Sequence, residues 1–169
     1  MPTKAFFMGL ALAALTATPA HAASPKPAPK AAIVRTVSSP TAVISSTVDI
    51  PAGSRIVMLS GSTASPVDPA TPDVFGDTAT QTKSILTKMK ATLEAMGLGL
   101  GDIVKMNIFL VGVPENGGRM DSAGMNGVFK TYFGTEEQPN RPARSTVQVA
   151  ALGRPTTLVE IEAMVAKAP

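Results

Sequence analysis

The chain is 169 residues long, room for one domain, and 44% of it is hydrophobic, enough to bury a core. It has no cysteine, which excludes disulfides, a thiolate nucleophile and zinc–thiolate sites. The net charge of +3 comes from Lys and Arg residues that never stand side by side, a pattern that argues against nucleic-acid binding.

Residues 1–22 read as a secretory signal peptide. Lys4 gives the positive start, residues 5–15 give a short apolar core, and Ala20-His21-Ala22 gives a small-residue cleavage site. The apolar run is too short to span a bilayer comfortably. The expected product starts at Ala23, is periplasmic or secreted, and keeps no membrane anchor. His21 is the chain's one histidine, so cleavage would leave none. That removes the commonest general base and metal ligand, and neither a metal site nor a cofactor is expected.

Residues 23–40 carry Pro25, Pro27, Pro29 and Pro40 among Ala, Ser and Lys, a flexible linker by composition. The folded domain is expected over residues 41–169. Segments 43–50 and 54–61 read as a hairpin about Pro51-Ala52-Gly53. Residues 62–76, rich in Pro and Gly, read as a surface loop. The spacing of Ile85, Leu86, Met89, Leu93 and Met96 predicts a helix over 78–96. Asp77 or Thr78 can cap it, Gln81 completes a Thr-x-x-Gln capping box, and Gly97 stops it. Its methionines read as core filler.

A strongly apolar strand over 103–111 follows, then a loop at 113–118. A second helix over 120–133 presents Met125, Val128, Phe129, Tyr132 and Phe133 on one face. The chain then alternates with period two in 144–150 and again in 158–165. Val147 and Val149 share a face there, with Ser145, Thr146 and Gln148 near the other. Val159, Ile161, Ala163 and Val165 oppose Glu160 and Glu162. The link Gly153-Arg154-Pro155-Thr156 carries turn residues, so the two segments read as a hairpin. The order β-β-α-β-α-β-β predicts an α+β two-layer sandwich, with one mixed sheet packed by two helices.

The hairpin would bring Arg144 close to Glu160 and Glu162. A guanidinium offers a planar two-pronged donor for a carboxylate, and a glutamate offers a general base. The alternative is a cross-strand ion pair on a solvated face.

Five segments together resemble the RidA (YjgF/YER057c/UK114) family of reactive-intermediate imine deaminases. They are SGSTA at 60–64, DTATQTKSIL at 77–86, LGDIVKMNIFL at 100–110, MNGVFKTYF at 125–133, and PARSTVQVA followed by VEIEA. They occur in the family's order over residues 43–166. The resemblance implies a chorismate-mutase-like fold, assembled as a homotrimer with sites between subunits. It implies that Arg144 holds the substrate carboxylate and Glu160 serves the hydrolytic water, with Glu162 as the fallback. Ser60 and Gly61 would line the site, and Asn126 would be a structural hydrogen-bonder or a ligand contact.

Two positions depart from the family pattern. Ile44 stands where a tyrosine is common, and Thr146 where a cysteine is common. Thr146 can still hydrogen-bond to a substrate.

The function this implies is hydrolysis of amino-acid-derived enamines and imines to 2-keto acids and ammonia, without a cofactor. The alternative is a module that binds small carboxylates without turnover. An endoribonuclease is disfavoured by the missing histidine and missing basic run. Mass spectrometry of the protein from its native envelope should find Ala23 at the N-terminus; an intact Met1 leader on soluble cytoplasmic protein would overturn the export reading.

Overall fold

The computed structural model describes Met1 and residues 31–169. Residues 2–30, with the expected leader and the start of the expected linker, lie outside the described residues.

Val34–Thr36 (β1) and Thr47–Asp49 (β2) pair with each other as a small antiparallel sheet. β1 falls inside the range read as linker, so ordered chain begins before residue 41. The hairpin expected between 43–50 and 54–61 does not form. Arg55–Thr63 (β3) pairs instead with the last strand of the chain. Three-residue β2 has one apolar side chain, Val48, and so no face to bury. The turn at Gly53, with φ of 80°, carries the chain from the small sheet into the large one.

Helix α1 spans Thr78–Ala95 and buries Ile85, Leu86, Met89 and Leu93, the stripe the spacing predicts. Asp77 is its cap and accepts from the Thr80 N–H at 2.8 Å. That N–H holds the Asp77 carboxyl below its ordinary range. The cap is therefore complete above the usual aspartate pKa and is lost as pH falls through the lowered value.

The Thr-x-x-Gln capping box does not form. The fully buried Gln81 side chain donates to Gly76 O and Thr156 O, both at 2.9 Å, and accepts from Leu158 N–H at 2.8 Å. It ties the start of α1 to the segment that enters the last strand.

Ile103–Val113 (β4) is the central strand and buries Met106, Ile108 and Leu110 on the helix side. One edge pairs antiparallel with Val159–Lys167 (β7), which pairs onward with β3. The other edge is shared. Ala143–Val149 (β6) runs parallel along Lys105–Val111, and Arg119–Met120 (β5) pairs antiparallel at Gly112–Val113. Gln148 closes that junction, accepting from Met120 N–H and donating to Gly118 O.

Helix α2, Ser122–Phe129, is shorter than the 120–133 expected. β5 takes Met120, and Asp121 caps the helix by accepting from Gly124 N–H at 2.9 Å. The result is an α+β two-layer sandwich, two helices on one face of a five-stranded mixed sheet, with the other face open.

The hairpin expected between 144–150 and 158–165 is the main correction. β6 and β7 are not neighbours, because β4 lies between them. The link at 150–158 is a crossover past the end of β4.

Replacing Gln81 with Ala should cost about 2–4 kcal/mol, since three hydrogen bonds vanish and backbone groups lose their partners. Urea denaturation measures this; a loss below about 1 kcal/mol would mean the 153–158 segment is held by other contacts.

Candidate functional site

Paired residues in a sheet point to the same face, so register fixes where each candidate side chain goes. Arg144 is paired with Met106, which is paired with Ala163, and both partners are buried under the helices. Arg144 therefore projects to the helix side. Its guanidinium lies 4.4 Å from the centroid of Phe129. Phe129 stacks on Phe133 at 4.5 Å, so the cation rests on a buried aromatic pair. Arg144 Nη2 donates to Asn126 Oδ1 at 2.8 Å, and Nη1 lies 3.7 Å from Met125 Sδ. Positions 125, 126 and 129 share one face of α2, and that spacing makes the cradle.

No carboxylate lies within ion-pair distance of Arg144 among the described residues, whose two ion pairs are Lys90–Glu94 and Asp102–Lys167. Burial pushes its pKa below the ordinary guanidinium value. A half-buried cation without a counter-ion is costly and gains from an incoming anion. The cross-strand ion pair weighed above is therefore absent within the chain. Thr146 points to the same side as Arg144, and its buried Oγ1 has no hydrogen-bond partner among the described residues.

Glu160 is on the opposite side. It pairs with Phe109 and Thr63 on the open face, while its neighbours Val159 and Ile161 are buried. The expectation that one hairpin gathers Arg144, Glu160 and Glu162 is thus corrected: the sheet separates the cation from both carboxylates. Gly61 lies directly beneath Glu160, where a Cβ would overlap Oε1. Glycine here lets the carboxylate rest against the backbone.

Glu162 shares the open face, as the alternation predicts. Asn107 Nδ2 donates to its Oε2 at 3.4 Å. Ser60 borders a recess with Glu162, Asn107, Lys105, Met58 and Met164, and so sits with Glu162. Ser60 and Gly61 thus divide between the two carboxylates. Asn126 is the acceptor that holds Arg144. Ile44 packs on the core beside β6, because Ser45 N–H donates to Pro142 O at 3.0 Å.

Phe75 and Arg154 also stand at the Glu160 site. Both line its recess, with the Arg154 guanidinium 5.9 Å from the Phe75 centroid. Each lies in a loop that the sequence marks only by its turn residues, so neither stands out there as a site residue. No group of three or more His, Cys, Asp and Glu able to hold a metal ion occurs among the described residues.

The family model described as Endoribonuclease L-PSP matches residues 38–167. The chain belongs to the RidA family. It is 39% identical over 99 residues to the 2-iminobutanoate/2-iminopropanoate deaminase of Escherichia coli K12, covering 59% of this chain and 71% of that one. The solved structure of E. coli TdcF with bound serine is 35% identical with a TM-score of 0.54, covering 70% of this chain and 85% of that one. A putative endoribonuclease from Thermotoga maritima is 35% identical with a TM-score of 0.53, covering 68% and 80%. The family members' shared two-layer fold agrees with the sandwich found here.

Replacing Gly61 with Ala should move the Glu160 carboxylate and leave the fold intact, since the overlapping atoms end a flexible side chain. Stability should change by less than about 1 kcal/mol. A crystal structure of the variant checks this; an undisplaced Glu160 would mean the strand, not the side chain, gives way.

Proposed function

We propose that the protein hydrolyses imines and enamines derived from amino acids, releasing 2-keto acids and ammonia. The observation that carries this reading is Arg144, a half-buried guanidinium cradled by Phe129 and Asn126 with no carboxylate partner among the described residues. It suits the carboxylate of a 2-imino acid. The deaminase name of the E. coli relative supports the reaction class.

The chemistry needs an anchored substrate, a directed water and a proton acceptor. The water oxygen bonds to the imine carbon as the C=N π pair moves to nitrogen, and Glu160 takes the water's proton and passes it to that nitrogen, giving the carbinolamine. A second proton, from solvent, converts its amino group to ammonium. The C–N bond then breaks with its electron pair going to nitrogen, the hydroxyl oxygen forms the C=O bond, and Glu160 accepts the hydroxyl proton and returns it to solvent, leaving the keto acid and ammonia.

Arg144 and Glu160 project from opposite faces of one sheet, so a working site takes them from two copies of the chain. The open face supports such assembly. Ile56, Met58 and Val147 are 45%, 65% and 46% exposed there, beside Phe109 and Met164. We infer a homotrimer with three inter-subunit sites.

A binding role without turnover is the second reading, favoured by Ile44, which lacks a tyrosine's hydroxyl. The variants separate the two. Arg144→Ala should weaken keto-acid binding by about 2–4 kcal/mol and abolish turnover. Glu160→Gln should still bind yet lose most turnover, and Glu162→Gln should do little. Arg144→Ala and Glu160→Gln chains, refolded together, should regain about a quarter of wild-type turnover, since random pairing restores that share of two-copy sites. No regain would refute the shared site. Binding without turnover in the wild type would leave the second reading.

A further inference from the structure

Glu160 opens into a recess of about 410 Å³ at the end of the sheet. Besides Glu160, the recess has one charged group on its walls, Arg154, together with Phe75, Ser65, Thr63 and Thr157. Its volume lies within the usual range of small-molecule sites. The methyl or ethyl side chain of a small aliphatic imino acid would leave much of it to water.

Arg154 has no acidic residue within ion-pair distance among the described residues, and Glu160 in the same recess is not an exception. The Phe75 ring beneath it is 6% exposed and belongs to the core. This ring limits the positions open to the guanidinium and leaves its edge free for a planar anion. Gln81 supports the arrangement from behind. By holding Gly76 O, Thr156 O and Leu158 N–H, it fastens the Phe75 loop and the Arg154 loop to one helix start.

We propose that this recess is a subsite for a second carboxylate, and that Arg154 selects imino acids bearing an acidic side chain. The inference rests on the reading that Glu160 faces the reacting carbon. Arg144 of one copy would take the carboxylate next to the imine. Arg154, on the chain that supplies Glu160, would take the carboxylate at the far end of the side chain. Phe75 would cover the methylenes between them. A dicarboxylic substrate thereby meets a cation at each end, and a short aliphatic one meets a cation at one end only.

The test compares 2-oxoglutarate with 2-oxobutanoate by calorimetry on the full-length assembled protein, and hydrolysis of the matching imino acids generated in situ. The wild type should bind 2-oxoglutarate at least about tenfold tighter, the scale of one charge-assisted contact. Arg154→Ala should bring that ratio close to one, and Arg154→Lys should keep part of it. Arg154 is exposed in a loop, so both variants should fold. A wild-type ratio near one, or a ratio that survives Arg154→Ala, overturns the proposal. So does an equal gain for both ligands in Arg154→Ala, which would mean that Arg154 only competes for Glu160. The binding ratio is read without turnover. A wild type that hydrolyses neither imino acid would therefore remove the deaminase reading while the ratio still decides the subsite.

Discussion

The central strand β4 decides where chemistry can occur. It pairs with β7 on one edge and with β6 on the other, so it stands between the strand of the two glutamates and the strand of the arginine. Side chains alternate across a strand, and paired residues keep to one face. Arg144 follows Met106 toward the helices, and Glu160 follows Phe109 toward the open face. No rotamer change can bring two groups together through a packed sheet. Any reaction that needs both must recruit a second chain, and the exposed apolar side chains of the open face are suited to that.

The separation also explains how a cation comes to be held half-buried without a counter-ion. An arginine within ion-pair distance of Glu160 would be neutralised before a ligand arrived. Here the guanidinium is held by a ring face, an amide oxygen and a thioether, none of them charged. These contacts orient it without neutralising it. The buried hydroxyl of Thr146, on the same face, has no hydrogen-bond partner among the described residues.

Much of this was legible in the sequence. The stripe of α1, the alternation of β7 and the long apolar β4 each state their own period, because burial on one face acts on every second or every third to fourth residue. The partner of a strand leaves no such mark. β6 and β7 looked like a hairpin because Gly153 and Pro155 punctuate the link. Yet residues 150–158 are longer than most hairpin loops, long enough to step across one intervening strand. The same holds for Pro51-Ala52-Gly53, which turns the chain between sheets. The alternation that sets Glu160 and Glu162 on one face was legible, and the face that Arg144 takes relative to them was not. Sidedness depends on which strand lies between, a fact of topology that no local pattern records.

The irregularity in β3 shows how the open face is divided. Between Leu59 and Ser62 the register with β7 shifts, setting Ser60 and Gly61 against the single residue Glu162. A bulge of this kind re-aims the side chains around it. Ser60 is left beside Glu162, while Thr63 regains its place opposite Glu160. Gly61, without a side chain, leaves room for the Glu160 carboxylate to lie against the backbone. Two glutamates two residues apart on one strand thus receive different surroundings. Glu162 faces Asn107 and Lys105, polar groups of the sheet itself. Glu160 faces the loops, where Phe75 and Arg154 form a wall that a substrate side chain could meet. The difference follows from one extra residue in β3, which turns two glutamates of one strand toward two separate recesses.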